Sequence, residues 1–292
     1  MPKVKHPRLS AELLEFVEGN LGAIKDARFC GWDHAESDVW ELSFGTGQSA
    51  FLKCHRQHRK FVQELTAYTE WLPALGHTPK LIAHHTKPNA LLLEKVPGEL
   101  VETMSLAQKE EQAVYIKAGR FLRSLHDLPY NDSDDMTLAD AWPMRIASWS
   151  EQAKEHVSAA DIVWAKAYAS EAIPALKNYS RVPCHRDYTA RNWLVAENSF
   201  YVIDFEHAHP NLWLSDLERL WTDRWQERPD LKESFFEGYG KALTADDEGL
   251  MRRFAAFGAV ITITWAANHG DDEFEQFGRS LLARLKAEAK DE

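Results

Sequence analysis

Cysteine is scarce in this sequence: Cys30, Cys54 and Cys184 are odd in number and widely spaced. That excludes a disulfide framework or a cysteine-paired zinc knuckle and reads as buried free thiols. Long apolar runs are also missing. The longest, "AAFGAVITITWAA" from Ala255 to Ala267, falls short of the ~18 residues that make a membrane span, and the opening "MPKVKHPRLSAELLEF" has no apolar signal core. The expectation is a cytoplasmic protein with no membrane partner. Basic charge is in deficit, with 34 Lys and Arg against 45 Asp and Glu, so there is no basic face for nucleic acid. No repeat or low-complexity segment interrupts the chain, and the polar stretch "YNDSDDMT" at 130–137 is the one expected excursion.

The acidity is unevenly placed. Residues 1–98 hold 12 Lys/Arg and 11 Asp/Glu, leaving 22 and 34 for the remainder, a balance that favours a cationic ligand in the second part or simply keeps its surface soluble. Patterning divides the chain at the same place. Ser10 before "AELLEFVEGN" predicts a capped amphipathic helix. Strand-like segments follow: "ARFCGW", "DVWELSF", the turn Gly45-Thr46-Gly47-Gln48, and "SAFLKCH". A helical run spans Arg59 to Leu72, ended by Pro73 and Gly76, and the strands "KLIAHH" and "ALLLEKV" enclose "TKPN". Beyond Gly98 the period becomes helical through "SLAQKEEQAVYIKAGRFLRSLHDL" and near 142–156, 160–177, 214–227, 231–242, 246–267 and 272–289. The fold class is therefore α+β. A small antiparallel lobe with one crossing helix, 1–97, is joined at about Pro97-Gly98 to a larger helical lobe, 98–292. A ligand is expected in a cleft between them.

One stretch breaks the helical pattern: "CHRDYTARNWLVAENSFYVIDFEHA", residues 184–208. Two short strands, "NWLV" and "FYVID", reverse at "AENS" and bring Asn192 near Asp204. An amide oxygen beside a carboxylate is a hard-oxygen donor set that suits Mg²⁺ with phosphate oxygens. Asp187, five residues before Asn192, is placed to accept a proton from an attacking hydroxyl. Read as structural groups instead, three such side chains would be costly to bury unless paired. His207 and His209 resemble a metal pair but lack a third ligand at useful spacing.

"HRDYTARN" followed by "VIDFE" resembles the catalytic and metal-binding motifs of the protein-kinase-like fold, and more closely those of aminoglycoside phosphotransferases and choline/ethanolamine kinases. "FLK", "QELTAYTEWL", "LLLEKVPGE", "FLRSLHDL" and "WLSDLERL" fall into the same family's order over roughly residues 30–220. The resemblance implies that Lys53, paired with Glu64, contacts the ATP phosphates; Asp187 is the base; Asn192 and Asp204 bind Mg²⁺. His185 would support the loop and Asp216 would brace it. The stretch "HAESDVW" would cover the nucleotide, with Ser37 on a phosphate, and adenine would lie near Glu94 to Val96. Glu206, Asp271 and Asp272, with Glu218, Asp223 and Glu275, are candidates to meet a cationic, hydroxyl-bearing substrate.

Three departures qualify the resemblance. The covering loop has no G-x-G-x-x-G. Only ten residues separate Lys53 from Glu64, which keeps Glu70 open as its partner. Arg186 stands where these antibiotic kinases usually have glycine. Eleven residues between Asp204 and Asp216 leave no room for an activation segment, so a protein substrate is not expected. The function implied is Mg²⁺- and ATP-dependent phosphorylation of a small molecule. An aminoglycoside or related antibiotic leads; a choline- or ethanolamine-type kinase, whose cation the tryptophans would hold, and a nucleotide-binding pseudokinase are the alternatives.

Overall fold

The computed structural model describes residues 9–31, 36–132, 134–197 and 199–290. Outside them lie the first eight residues, Trp32 and Asp33, His34 and Ala35 of the stretch expected to cover the nucleotide, Ser133 of the polar excursion, Asn198 of the "AENS" turn, and Asp291 and Glu292. The chain forms two compact units, Met1–Ala107 with His185–His209, and Gln108–Cys184 with Pro210–Glu292.

In the first unit, helix α1 (Ala11–Leu21) starts where the Ser10 hydroxyl accepts from the Leu13 N–H, an N-cap that satisfies one otherwise unpaired donor. Strands β1 (Ile24–Phe29), β2 (Ser37–Phe44), β3 (Ser49–His55), β4 (Leu81–His85) and β5 (Ala90–Glu94) form one sheet in the order β1-β2-β3-β5-β4, every pairing antiparallel. Side chains alternate across a strand. Ala50 and Leu52 of β3 therefore join Trp40, Leu42 and Phe44 of β2 and Leu13 and Val17 of α1 in one core. The same alternation turns Lys53 and His55 to the opposite face, where α2 (His58–Thr66) packs on β3 and β5.

The helical run from Arg59 is not one regular helix. After α2 the backbone widens into a π turn over Ala67–Trp71, which buries both Tyr68 and Trp71, and closes in a 3-10 turn over Leu72–Ala74 carrying Pro73. Strand β6 (Glu99–Leu100) belongs to a second sheet, with β7 (Trp193–Ala196) and β8 (Ser199–Val202) in the order β6-β7-β8. Gly98 makes this approach possible. Its φ is 121°, and a Cβ there would lie 2.8 Å from the Val195 carbonyl oxygen.

The second unit is helical: α3 (Gln108–His126), α4 (Leu138–Gln152), α5 (Ala159–Ser170), α6 (Ile173–Leu176), α7 (Glu218–Thr222), α8 (Arg224–Glu227), α9 (Pro229–Tyr239), α10 (Ala245–His269) and α11 (Asp272–Glu288). Three boundaries differ from the sequence reading for identifiable reasons. Thr137 caps α4 by accepting from the Asp140 N–H, so Pro143 lies inside the helix rather than at its start. The 160–177 run splits because Pro174 opens a new helical turn; proline in a helix interior removes a hydrogen bond and clashes. The 214–227 run breaks into a 3-10 turn, α7 and α8, with Asp223 at φ −114° and ψ −91° between the two helices.

Helices α3 and α9 touch backbone to backbone. A Cβ on Gly119 would sit 2.0 Å from the Phe235 carbonyl oxygen, and one on Gly238 would sit 1.9 Å from that of Ile116. Helix α10 is long and apolar enough, by length and composition, to cross a membrane. Its apolar length, from Leu250 to Ala266, is instead largely buried within this unit.

Candidate active site

Hairpin β7–β8 fixes the spacing that the sequence suggested. Trp193 pairs with Val202, and the Ile203 N–H donates to the Asn192 carbonyl at 3.0 Å, so Asn192 and Asp204 leave adjacent strands at the same end. Besides Glu197 in the hairpin turn, Arg186 at φ 68° and Asp204 at φ 67° hold left-handed backbone without being glycine. Aspartate tolerates that region; a long side chain does so only under constraint. His185 supplies part of it. Its Nδ1 accepts from the Asp187 N–H at 3.3 Å, so the proton sits on Nε2, which donates to the Ile203 carbonyl at 2.9 Å. The buried ring thereby ties the backbone at Asp187 to the backbone just before Asp204.

Asp187 is nearly buried. Its Oδ2 accepts from Asn192 Nδ2 at 2.9 Å and from Arg191 Nη2 and Nε at 2.6 and 3.2 Å. Asn192 Nδ2 also donates to the Asp187 carbonyl at 2.8 Å. The asparagine amide thus spends its N–H groups on the aspartate, and its oxygen has no hydrogen-bond partner among the described residues.

Lys53 projects from β3 into three carboxylates: Asp204 Oδ1 at 2.6 Å, Glu64 Oε2 at 2.9 Å and Glu206 Oε2 at 3.1 Å. His55, two residues on and so on the same face, places Nε2 2.8 Å from the same Glu64 oxygen. Neither approach to that oxygen is aligned as a hydrogen bond. The other Glu64 oxygen accepts from the Phe205 N–H at 3.2 Å, so one fully buried carboxylate joins β3 to the backbone beyond Asp204. Phe205 in turn packs on Tyr68 and His185, with ring centroids 6.0 and 4.5 Å apart. Glu70, the alternative partner for Lys53, is exposed in the π turn.

Burial alone would strip these charges; the cluster reverses that. Lys53 is pushed well above the ordinary lysine range because Asp204, Glu64 and Glu206 outweigh its desolvation. Burial works to raise Glu64 and Glu206, yet the Lys53 charge holds both below the usual carboxylate range, helped by His55 for Glu64 and His207 for Glu206.

The other expected residues are placed as follows. The Ser37 hydroxyl donates to Glu206 Oε2 at 3.0 Å. Glu206 therefore stands with Lys53 and Ser37 in the first unit. Glu94, exposed, is the last paired residue of β5, opposite Ala50, and Val96, half-buried, lies two residues beyond it. His207 Nδ1 accepts from the buried Lys60 at 2.7 Å, and Lys60 also meets Glu36 at 2.9 Å. In the second unit Asp216 accepts from His126 Nε2 at 3.0 Å, while His126 Nδ1 is 2.8 Å from the Tyr239 hydroxyl. Asp271 caps α11 by accepting from the Phe274 N–H, and Asp272 follows in its first turn.

Sequence reasoning missed His55, Lys60 and Arg191. The two-residue spacing of His55 from Lys53 on a strand was a usable signal. For Arg191 only the turn geometry reveals the partner.

A small sheet-and-helix unit bearing a buried lysine–glutamate pair, with Asp187, Asn192 and Asp204 gathered around one end of a hairpin, has the protein-kinase-like fold. Solved structures share the fold. The gentamicin complex of APH(2″)-IIa is 18% identical, with a TM-score of 0.68 covering 95% of this chain and 97% of that one. A thermostable mutant of aminoglycoside phosphotransferase APH(4)-Ia, in ternary complex with AMP-PNP and hygromycin B, is 12% identical, with a TM-score of 0.71 covering 94% and 98%. Spectinomycin phosphotransferase APH(9)-Ia, in complex with ADP and spectinomycin, is 17% identical, with a TM-score of 0.58 covering 96% and 94%. At these identities the likeness is one of fold. No curated protein matches by sequence. The profile of the phosphotransferase enzyme family matches residues 30–257, and the chain belongs to that family as a small-molecule kinase.

Proposed function

We propose that the protein transfers the γ-phosphoryl group of ATP, with Mg²⁺, to a hydroxyl of a small cationic molecule, an aminoglycoside or related antibiotic. The observation that carries this reading is the set of three carboxylates on Lys53, with Asp187 and Asn192 on the adjoining loop. The carboxylates outnumber the lysine by two, the charge of one divalent ion, and Asp204, Glu206 and the Asn192 amide oxygen are the hard donors that would hold it. Bound there, Mg²⁺ would neutralise phosphate charge.

Lys53, steadied by Glu64 and His55, contacts the α and β phosphates, and Ser37 and Glu206 lie at the same end. Asp187 takes the proton of the acceptor hydroxyl. The hydroxyl oxygen bonds to the γ-phosphorus as the bond from that phosphorus to the bridging oxygen breaks, and the electron pair leaves with ADP. His185 keeps the loop in register with Asp204, and Asp216 braces the helical unit through His126. Adenine is assigned to the Glu94–Val96 stretch. The acidic excess of residues 99–292, 34 acids against 22 bases, supports a cationic substrate, with Asp272 and the capping Asp271 as candidate contacts. A supply of ATP places the reaction in the cytoplasm.

The test is ADP release with Mg²⁺-ATP against aminoglycosides, peptide and nucleoside antibiotics, choline, ethanolamine and homoserine, repeated with Asp187→Asn. Turnover on a cationic antibiotic that disappears in the variant is expected. Turnover on choline would move the assignment to a choline-type kinase, and equal turnover by Asp187→Asn would refute the base.

A further inference from the structure

Arg191 is the charged side chain nearest the proposed base that the reaction as written leaves without work. It lies in the 3-10 turn Ala190–Asn192, four residues after Asp187, and meets Asp187 Oδ2 through Nε and Nη2. Its side chain is 41% exposed while that of Asp187 is 7% exposed, so the pair is a buried carboxylate covered by an accessible guanidinium. Nη1 has no hydrogen-bond partner among the described residues, and an arginine fork has donors for a second, planar set of oxygens. The carboxylates whose charge reaches Arg191 are Asp187, Asp204 and Glu102, and together they hold its proton more tightly than usual. Asp187 and Asp204 are the two residues that, on the reading above, bracket the phosphoryl group in flight. The basic side chains at the other end are engaged, Lys53 by three carboxylates and Lys60 by Glu36 and His207.

We propose that Arg191 is a catalytic residue whose guanidinium, parked on Asp187 in the free protein, contacts the equatorial oxygens of the transferring phosphoryl group. The inference rests on the phosphotransferase reading. Charge on those oxygens is spread widely in a loose transition state, where a positioned arginine acts most strongly. Asp187 also gains from the arrangement: three N–H donors on one oxygen fix the rotation of its carboxylate. Because the guanidinium is shared with Asp187, the expected effect is smaller than that of a dedicated arginine finger, on the order of 10- to 100-fold.

The test compares binding of Mg²⁺-ADP alone with binding of Mg²⁺-ADP plus aluminium fluoride, a planar mimic of the transferring group, by calorimetry on wild type, Arg191→Ala and Arg191→Lys. It needs no identified acceptor. Asn192 still donates to Asp187 when Arg191 is replaced, and circular dichroism confirms that the variants are folded. The ratio of the two affinities should fall at least tenfold in Arg191→Ala, with ADP affinity within about twofold and Arg191→Lys intermediate. An unchanged ratio, or an equal loss of both ligands, overturns the role of Arg191. Failure of wild type to bind either nucleotide would instead overturn the phosphotransferase reading itself.

Discussion

Replacing Lys53 with methionine keeps the length of the side chain and removes the cation from three carboxylates. The side chains of Glu64 and Glu206 are 0% and 11% exposed, whereas that of Asp204 is 37% exposed, so the cost falls on the first two. Removing one partner of a buried ion pair costs about 3–5 kcal/mol. His55 remains on Glu64, which points to the lower end, about 3 kcal/mol. The pH dependence gives the reasoning a second signature. In the wild type both glutamates are held below their ordinary value, so their stabilisation is present at neutral pH and lost as pH falls through the carboxylate range. Without Lys53, burial is offset only in part, by His55 on Glu64 and His207 on Glu206, so both pKa values rise and add a penalty that is present at high pH and relieved as pH falls. The difference between wild type and Lys53→Met should therefore be largest near pH 8 and shrink as pH falls toward the ordinary carboxylate range. Urea midpoints at pH 8, 6.5 and 5 measure it. A difference below about 1 kcal/mol at pH 8, less than a third of that cost, or one that does not change with pH, would refute the account of the cluster.

Two further expectations concern the scaffold. Because Arg186 sits at φ 68°, Arg186→Gly should be more stable than Arg186→Ala by roughly 1 kcal/mol; both lose the same side-chain contacts, so equal chemical-denaturation midpoints would argue against strain at this residue. Gly119→Ala must push α3 off α9, since its Cβ would overlap the Phe235 carbonyl. Overpacking of this kind costs roughly 1–3 kcal/mol, read as a fall of several degrees in Tm, and an unchanged Tm would show that the two helices are free to part.

The first unit was largely legible because its signals are local. Alternation in "SAFLKCH" places Lys53 and His55 on one face, and the hairpin signals around "AENS" bring Asn192 near Asp204. The resemblance already put Glu64 first as the partner of Lys53, and Glu70 stayed open because periodicity does not register the extra residue of the π turn at Ala67–Trp71. The position of Glu206 was hidden for a related reason: two residues after Asp204 the chain is irregular, and only the fold reveals that it turns to Lys53 and Ser37. In the second unit the helices were visible as apolar periods, but their ends followed backbone chemistry: the Thr137 cap, Pro174 and the break at Asp223. The Gly119–Gly238 approach involves residues more than a hundred positions apart, which no local pattern connects.

The central claim is that the carboxylates around Lys53 form a metal–nucleotide site. Calorimetric titration of ATP with and without Mg²⁺, on wild type and Asp204→Ala, tests it most directly. Tight binding that requires Mg²⁺ in the wild type and is lost in Asp204→Ala is the predicted result. ATP binding indifferent to Mg²⁺, or unaltered in the variant, would contradict it.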